Sequence, residues 1–207
     1  MNYPIIHTME QGSEEWHAVK LGLISASNFK TAIGKPGATR TKLMYKLIGE
    51  RGYPEGVTTE SYSNDAMLRG IELEAEARAK YEPLGHVTEI GFYQLNDDIG
   101  VSPDGLVGDD GAIEIKCPNT ATHCQYIDEN RMQPVYVQQV QGILWVTGRK
   151  WCDFISYDPR YASIPFWHIR VDRDEKIIAE IEVKVNAFVD EMKKKIVNMD
   201  KMQAPKF

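Results

Sequence analysis

The chain has 207 residues, of which 43% are hydrophobic, and a formal net charge of −6. This length suits one domain with a substantial buried core, so we expect a single domain over residues 1–207. No apolar run approaches the roughly 18 residues that span a bilayer, and the first residues lack the basic and apolar parts of a signal peptide. Three cysteines without a CxxC spacing argue against a disulfide framework and a structural zinc site. Together these features predict a soluble, cytoplasmic protein with reduced thiols.

Basic residues concentrate in one segment of this acidic chain. Residues 28–51 hold six basic side chains and one acid, Glu50, which gives a local charge of about +5. The basic residues are Lys30, Lys35, Arg40, Lys42, Lys46 and Arg51. Such a cluster predicts a surface that binds anions such as DNA phosphates. A solvated helix face with an adjoining loop explains the same pattern.

Helical patterns dominate the first 82 residues. We expect four helices: one after an N-cap at Ser13, one from Ser25 or Ser27 to just before Gly34, one over 39–51 and one over 64–82. The last has apolar residues on two sides, with Leu68, Ile71, Ala75 and Ala79 on one and Leu73, Ala77 and Tyr81 on the other. This pattern predicts a largely buried helix.

Short β-type runs replace the helical patterns from His86 to Cys117. After them we expect, in order, a helix from Pro134 through Trp145, strands over Cys152–Tyr157 and Ile164–Val171, and a long amphipathic helix from Asp174 to Met199. This order of elements predicts an α/β fold, a single domain with a central mixed β-sheet flanked by helices.

The stretch from Ser102 to Lys116 contains the residues best suited to chemistry. Alternate residues of a strand point to the same face, so Glu114 and Lys116 should project together, opposite an apolar row. A turn between Asp104 and Glu114 would fold the chain back as a hairpin and bring the two carboxylates close. Paired carboxylates repel unless a cation or a proton lies between them.

Two such carboxylates and a lysine are the parts needed for metal-assisted hydrolysis of a phosphodiester. Oxygen ligands favour Mg²⁺ or Mn²⁺, and the backbone carbonyl of Ile115 would add a further oxygen. A lysine beside them can orient or deprotonate an attacking water. The spacing alone leaves another interpretation open: Asp104-Gly105 is an ordinary turn sequence, and a Glu-x-Lys pair is often the solvated face of an edge strand.

Several segments resemble one nuclease family in the same order along most of the chain. SPDGLVGDDGAIEIKCP resembles the core motif of the PD-(D/E)xK nuclease superfamily, with its restriction-endonuclease-like core. EEWHAVKLGLISAS, RGIELEAEAR, YVQQVQGILWVTG, YDP and RDEK are similar to segments of the YqaJ-like viral recombinase (alkaline exonuclease) family, which includes lambda exonuclease. Glu-x-Lys is a weak signal by itself, but the motifs are specific when taken together.

The resemblance implies roles for individual side chains. Asp104 and Glu114 would bind two Mg²⁺ ions, which Mn²⁺ can replace, and Lys116 would serve the attacking water. Glu74 matches a carboxylate that helps to hold the metal-bound water, and Gln139 matches a glutamine near the active site. Other interpretations remain: Glu74 could pair with the arginine four residues later, and a glutamine on an amphipathic helix can simply face solvent.

The resemblance also implies a pocket for the 5′-terminal phosphate of DNA. Ser27 and Ser102 match hydroxyls that contact this phosphate, whereas Lys20 replaces a family arginine. Lysine keeps the charge but loses bidentate geometry, which leaves the strength of phosphate selection open. Lys30, Lys35, Arg40 and Lys42 of the basic segment would contact the DNA.

The resemblance therefore implies a Mg²⁺-dependent exonuclease of phage or prophage origin. It would digest one strand of linear double-stranded DNA processively from 5′ to 3′, release 5′ mononucleotides and leave a 3′ single strand for recombination by strand annealing. Its implied partners are DNA ends, two further copies in a trimeric ring, and a single-strand annealing protein. The alternatives are an endonuclease of the same superfamily and an inactive module that binds DNA ends.

Overall fold

The computed structural model describes residues 4–54 and 65–202, with the side chains of residues 65–69 and 71 excepted. The helices there are α1 (Glu14–Lys20), α2 (Ala26–Ile33), α3 (Ala38–Arg51), α4 (Asp65–Tyr81), α5 (Thr120–Glu129), α6 (Val137–Thr147) and α7 (Glu175–Asp200). The strands are β1 (Ile5–His7), β2 (Ile24–Ser25), β3 (Val87–Thr88), β4 (Phe92–Gln94), β5 (Ile99–Val101), β6 (Gly105–Val107), β7 (Gly111–Lys116), β8 (Trp151–Tyr157) and β9 (Phe166–Asp172).

The strands form two mixed sheets. The first has the order β1-β4-β5-β2, in which β2 and β5 are parallel. The second has the order β3-β6-β7-β8-β9, in which β7 and β8 are parallel and the other pairs antiparallel. The predicted α/β class with a mixed sheet flanked by helices is confirmed, but the strands are divided between two sheets where the sequence suggested one.

Apolar side chains cover both faces of the second sheet. On one face, Ile113 and Ile115 of β7 pack with Leu73, Ala77 and Tyr81 of α4. On the other face, residues of β7 and β8 join the larger core built with α2, α3, α6 and α7. The predicted alternation along β7 is therefore confirmed. Glu114 lies on the opposite face from Ile113 and Ile115, where it contacts Gln139 of α6.

Helix α4 differs in part from its prediction. Leu73, Ala77 and Tyr81 form a buried face, whereas Ala75 and Ala79 are exposed, so the second predicted apolar side is wrong at these two positions. The side chains of Leu68 and Ile71 lie outside the described residues. The alanines cost little at the surface because they are good helix formers with little apolar area to bury.

Most element boundaries follow the predictions within two residues. Ser13 accepts a hydrogen bond from the Trp16 amide as the N-cap of α1, and Asp174 caps α7 in the same way. Pro134 begins a short 3₁₀ turn before α6, and Gly148 closes α6 in the left-handed conformation. No described helix is both long and apolar enough to cross a membrane.

Helices α2 and α6 pack closely because α6 has a glycine at their contact. A Cβ atom at Gly142 would lie 2.5 Å from the ring of Phe29, which is fully buried. Both helices carry residues of the candidate site described below. Their close approach therefore contributes directly to its geometry.

We expect Gly142→Ala to lower the free energy of unfolding by about 1–3 kcal/mol, because the added methyl overpacks the α2–α6 contact. Gly49→Ala is the matched control, since Gly49 is also helical and a Cβ there meets nothing within 4 Å. The control should be stabilising by about 0.5–1 kcal/mol. Chemical denaturation of both variants measures the difference, and equal effects would contradict the close packing.

Candidate active site

The hairpin of β6 and β7 brings Asp104 to the C-terminal end of β7. The strands pair from Gly105 opposite Ile113 to Val107 opposite Gly111. Asp104, just before β6, accepts a hydrogen bond from the Ile115 amide at its Oδ2 atom over 2.6 Å. The predicted hairpin is confirmed, and it joins Asp104 to the residue between Glu114 and Lys116.

Glu114 is buried within the second sheet. Its strand lies between β6 and β8, and the side chain is only 1% exposed. The alternative that Glu-x-Lys is the solvated face of an edge strand is therefore wrong. Lys116 forms a short ion pair with Oε1 of Glu114. Burying a carboxylate costs free energy, and the fold gains no stability from it. The burial of Glu114 therefore indicates a functional role.

Helix α4 supplies a third carboxylate and a cation. Glu74 is partly buried, and Asp104 and Lys116 both act on its pKa. Arg78, one turn further, donates from Nε to the Asp104 carbonyl over 3.1 Å and pairs with Glu89. Arg78 also lowers the pKa of Glu74, so the alternative that Glu74 pairs with this arginine stays open beside a role in metal binding.

The electrostatics of this cluster are those of carboxylates held together out of water. Burial, reinforced by Asp104, raises the pKa of Glu114 to about 8 and that of Glu74 to about 7. Burial also raises the pKa of Asp104, against the nearby Lys116. For Lys116, burial would lower the pKa, but Glu114 and Asp104 raise it well above its usual value. Lys116 and Arg78 lower the pKa values of Glu74 and Asp104 but do not offset the effect of burial.

The carboxylates fit a divalent cation. Oε2 of Glu114 is buried and finds no hydrogen-bond partner among the described residues, so one carboxylate oxygen is left unsatisfied. Among the described residues, no three His, Cys, Asp or Glu side chains form a ready cation cage. Mg²⁺ sites commonly use one or two carboxylates and complete their shell with water and substrate phosphates. Asp104, Glu114 and the Ile115 carbonyl match that donor set.

Gln139 of α6 connects the carboxylates to a neighbouring pocket. Its Nε2 atom donates to Oε1 of Glu114 over 2.5 Å, and its side chain also lines the pocket. Gln139 therefore lies beside Glu114, so the alternative that it simply faces solvent is wrong, and its part in the reaction stays a prediction. Gln141 has a different position: it is buried and bonds to Asp172 and Asp174 where α7 begins.

The pocket has a volume of about 120 Å³ and is lined mostly by polar side chains. All three residues predicted for the 5′-phosphate, Lys20, Ser27 and Ser102, line it. The remaining lining residues are Gln11, Trp16, Ser25, Ala26, Gln139 and Ile143. The fold thus brings together side chains from α1, α2, α6 and the segment after β5. One cation and several hydroxyls in a small cavity suit a tetrahedral anion.

Lys20 lies in this pocket against an aromatic ring. Its ammonium is 3.2 Å from the centre of the Trp16 ring, and the two residues share one face of α1 at a spacing of four. Burial, with a smaller effect from Lys46, lowers the pKa of Lys20 to about 7. An ammonium with a lowered pKa gains from a nearby anion, since the anion favours its charged form.

Comparison with known proteins gives one family for this combination of fold and site. The family model of the YqaJ-like viral recombinase domain matches residues 15–150. The chain belongs to the YqaJ-like viral recombinase family. That range contains the carboxylate cluster, Lys116, Gln139 and the three residues predicted for the phosphate pocket, Lys20, Ser27 and Ser102.

Solved structures agree with membership of the YqaJ-like family. An alkaline exonuclease (LHK-Exo) from Laribacter hongkongensis is 42% identical, with a TM-score of 0.83 over 91% of this chain and 97% of that chain. A structure of LHK-Exo in complex with dAMP is 43% identical, with the same TM-score and coverage. A phage related exonuclease from Haemophilus somnus 129PT shares the fold at 18% identity, with a TM-score of 0.64 over 86% of this chain and 96% of that chain. The chain is thus a nuclease of the YqaJ-like family.

Ion pairs within this YqaJ-like chain neutralise part of the positive charge of the basic segment. Acidic side chains pair with three of its cations, in the pairs Arg40–Glu191, Lys46–Glu50 and Arg51–Asp98. Lys30, Lys35 and Arg40 also line a cleft of about 430 Å³ between α2 and α3. The predicted DNA contacts of Lys30, Lys35, Arg40 and Lys42 remain predictions.

Sequence reasoning missed several residues at the site. Among them, Trp16 and Gln11 line the predicted phosphate pocket, and Arg78 contacts the Asp104 backbone. The interval of four between Trp16 and Lys20 could have placed both on one helix face. Gln11 donates to the carbonyls of Ile90 and Pro103, which are 79 and 92 residues away, and no local pattern indicates such contacts.

Proposed function

We propose that this chain is a divalent-cation-dependent exonuclease that degrades one strand of linear double-stranded DNA from its 5′ end. The observation that carries the proposal is the link from the phosphate pocket to the buried carboxylates. Gln139 lines the pocket and donates to Glu114. A strand whose terminal phosphate occupied the pocket would have its first internucleotide bond next to Glu114 and Lys116.

The pocket offers several groups to a terminal phosphate. Lys20 supplies the positive charge, and the Ser25 and Ser27 hydroxyls lie 3.1 Å apart at the start of α2. Within the described part of the chain, no side chain caps the N-terminus of α2, so its first amide groups are available to an anion. Recognition of this end supports 5′ to 3′ polarity and leaves the complementary strand with a 3′ overhang.

Asp104, Glu114 and the Ile115 carbonyl would hold Mg²⁺ or Mn²⁺, and the charges at the site allow for two ions. Such a cation would neutralise the charge that develops on the phosphate and make water a stronger nucleophile at neutral pH. Glu74 faces the same site from α4 and would accept a hydrogen bond from a water there. The unsatisfied Oε2 atom of Glu114 supports the assignment of Glu114 as a metal ligand.

The chain's own residues would then orient the reactants. Glu114 and Asp104 raise the pKa of Lys116, so its ammonium acts as a hydrogen-bond donor that positions a water for attack on the phosphorus. Gln139 fixes the Glu114 carboxylate by its hydrogen bond. The buried α6 and β7 backbones hold these groups still, which limits the loss of orientation during the reaction.

Processive digestion would follow from enclosure of the DNA. We propose a ring of three copies with the cleft of Lys30 and Lys35 directed toward the duplex, and a single-strand annealing protein of phage or prophage origin that takes up the 3′ strand. The concentration of basic side chains in an otherwise acidic chain, with Lys30 and Lys35 lining the cleft, supports such a surface. Light scattering at micromolar concentration should give the mass of a trimer, and a monomer would contradict the ring.

The first experiment is digestion of a linear duplex labelled at the 5′ or the 3′ end. In Mg²⁺ we expect release of 5′ mononucleotides from one strand, with the complementary strand left intact, and no release in EDTA. Duplexes with a 5′-phosphate should be degraded faster than duplexes with a 5′-hydroxyl.

A closed circular plasmid serves as the control substrate and should remain uncut. Internal cuts in the plasmid would favour an endonuclease of the same superfamily. No degradation in either Mg²⁺ or Mn²⁺ would favour an inactive module that binds DNA ends. Degradation from the 3′ end would contradict the proposed polarity.

A further inference from the structure

The Trp16 indole, the Ser102 hydroxyl and the Gly91 carbonyl are all joined to one another by hydrogen bonds at the wall of the phosphate pocket. Trp16 Nε1 donates to the Ser102 hydroxyl over 3.0 Å and to the Gly91 carbonyl over 2.9 Å. The Ser102 hydroxyl itself donates to the same Gly91 carbonyl over 2.9 Å. The indole therefore contacts both the hydroxyl and the carbonyl to which that hydroxyl donates.

The count of protons limits what Ser102 can offer an anion. A serine hydroxyl has one proton to donate, and an indole Nε1 is a donor that accepts nothing. The Ser102 proton points to Gly91. An anion needs donors, so Ser102 can bind a phosphate only if its O–H rotates away from the Gly91 carbonyl.

Trp16 removes the cost of that rotation. A buried carbonyl that loses its donor costs about 1–3 kcal/mol. The Gly91 carbonyl would keep the Trp16 Nε1 donor after Ser102 turned, so it would not lose its last partner. The same Nε1 also donates to Ser102 Oγ and holds that oxygen at the pocket wall while its proton moves.

The face of the same indole supports the pocket's cation. The Lys20 ammonium lies over the Trp16 ring, and such contacts strengthen when the cation is removed from water. One side chain therefore contacts the cation by its face and the hydroxyl by its edge. Trp16 is held in place by α1, whose N-cap Ser13 accepts a hydrogen bond from the Trp16 amide.

We propose that Trp16 is a positioning residue for recognition of the 5′-terminal phosphate, acting through the Ser102 hydroxyl and the Lys20 ammonium. The inference rests on the proposed function, because it assigns how the phosphate pocket of that exonuclease selects its ends. The Ser102 hydroxyl rotates when the phosphate binds and donates to the phosphate in place of the Gly91 carbonyl. Trp16 allows this change of acceptor because it keeps a hydrogen bond to Gly91.

The test distinguishes the hydrogen bonds made by Trp16 Nε1 from the contact between the Trp16 ring face and Lys20. Trp16→Phe removes the Nε1 donor and keeps an aromatic face for Lys20. Rates of digestion are compared on duplexes that differ only in a 5′-phosphate or a 5′-hydroxyl, and the preference is the ratio of the two kcat/KM values. Affinity for the same two duplexes is measured by fluorescence anisotropy in a Lys116→Ala background, which reports end binding without turnover.

We expect Trp16→Phe to reduce the preference about tenfold, as expected for one hydrogen bond to a charged group. Ser102→Ala should reduce it by a similar factor. The double variant should lose no more than about twofold beyond either single one, because each change deprives the phosphate of the same donor, the Ser102 hydroxyl. Trp151→Phe is the matched control, since Trp151 also lies under a cation, Arg170, and contributes nothing to the pocket lining. Its preference should equal that of the unmodified chain.

Each contrary result has a separate meaning. An unchanged preference in Trp16→Phe would overturn the inference and leave the exonuclease proposal intact. Equal slowing on both ends would also overturn it, because a purely structural role predicts that result. Independent losses in the double variant would show that Trp16 does not act through Ser102. If the unmodified chain did not distinguish the two ends, the end-recognition part of the proposed function would fail, and the inference with it.

Discussion

Lys116→Ala should lower turnover about 100- to 1,000-fold and leave the affinity for duplex DNA within about threefold of the unmodified chain. The reason is that the Lys116 ammonium lies against Glu114 in the interior of the site, where it can orient a water but contributes little to the surface that holds DNA. Single-turnover digestion measures the rate, and anisotropy measures the affinity.

A second substitution at the same ion pair tests the division of roles. Glu114→Gln preserves the shape of the side chain but removes a charged ligand, so we expect loss of Mn²⁺ binding by calorimetry together with loss of turnover. Lys116→Ala should retain Mn²⁺ binding. If both variants lost the metal equally, Lys116 would be a structural partner of the carboxylates with no separate role in the reaction.

Lys150→Ala is the control for the loss of a lysine. Lys150 pairs with Asp110 at the surface, at the opposite end of β8 from the residue beside Lys116. Its removal should leave turnover and affinity unchanged. Unchanged turnover in Lys116→Ala would refute the role assigned to Lys116.

Asp153→Ala should be the most destabilising of the substitutions considered, with a loss of about 3 kcal/mol in the free energy of unfolding. Asp153 is 2% exposed, accepts two hydrogen bonds from Arg170 and one from the Tyr81 hydroxyl, and so joins α4 to β8 and β9. Its removal leaves the Tyr81 hydroxyl and the Arg170 guanidinium without their acceptor. Arg170 is half exposed, so water recovers part of its interaction and the loss stays at the lower end of the range for buried pairs.

Urea denaturation measures this loss, and the pair of Glu180 and Lys184 on α7 supplies the control. Both partners there are exposed and lie four residues apart. Glu180→Ala should change the free energy of unfolding by less than about 0.5 kcal/mol. A comparably small effect of Asp153→Ala would show that the buried network contributes little.

The core of the site could be predicted because its information is local. Glu114 and Lys116 are two residues apart in a strand, and Asp104 lies one short hairpin away, so alternation and turn chemistry were sufficient. The long α7 followed from its regular apolar spacing. In each case the pattern lies within one element or one tight turn.

Helix α5 could not be predicted in the same way. Its sequence TATHCQYIDE has two β-branched threonines in the first turn and buries only His123 and Tyr126, so no regular apolar face is present. The helix is fixed by distant partners: His123 bonds to Ser156 and to the Ile164 carbonyl. The division of the strands into two sheets likewise depends on long-range pairing, such as that of β1 with β4.

The charge of the basic segment, taken from the sequence alone, also overstated how much of it is available to bind an anion. A count of cations does not show that Arg40 and Arg51 pair with acids far along the chain, Glu191 and Asp98. The role of Trp16 was hidden for a related reason. An indole on an amphipathic helix ordinarily belongs to the core, and its hydrogen bonds to residues 91 and 102 depend on the tertiary fold.

The parallel pairing of β7 and β8 has a consequence for the order in which a growing chain acquires activity. Strand β7 ends at Lys116, but its neighbour is complete only at Tyr157, after the crossover through α5 and α6. At a synthesis rate of about 5–20 residues per second, the 41 residues from 116 to 157 take about 2–8 s to add. During that interval one edge of β7 lacks its partner and Gln139 cannot yet be fixed beside Glu114. A nascent chain should therefore be unable to cut DNA until most of it has been synthesised.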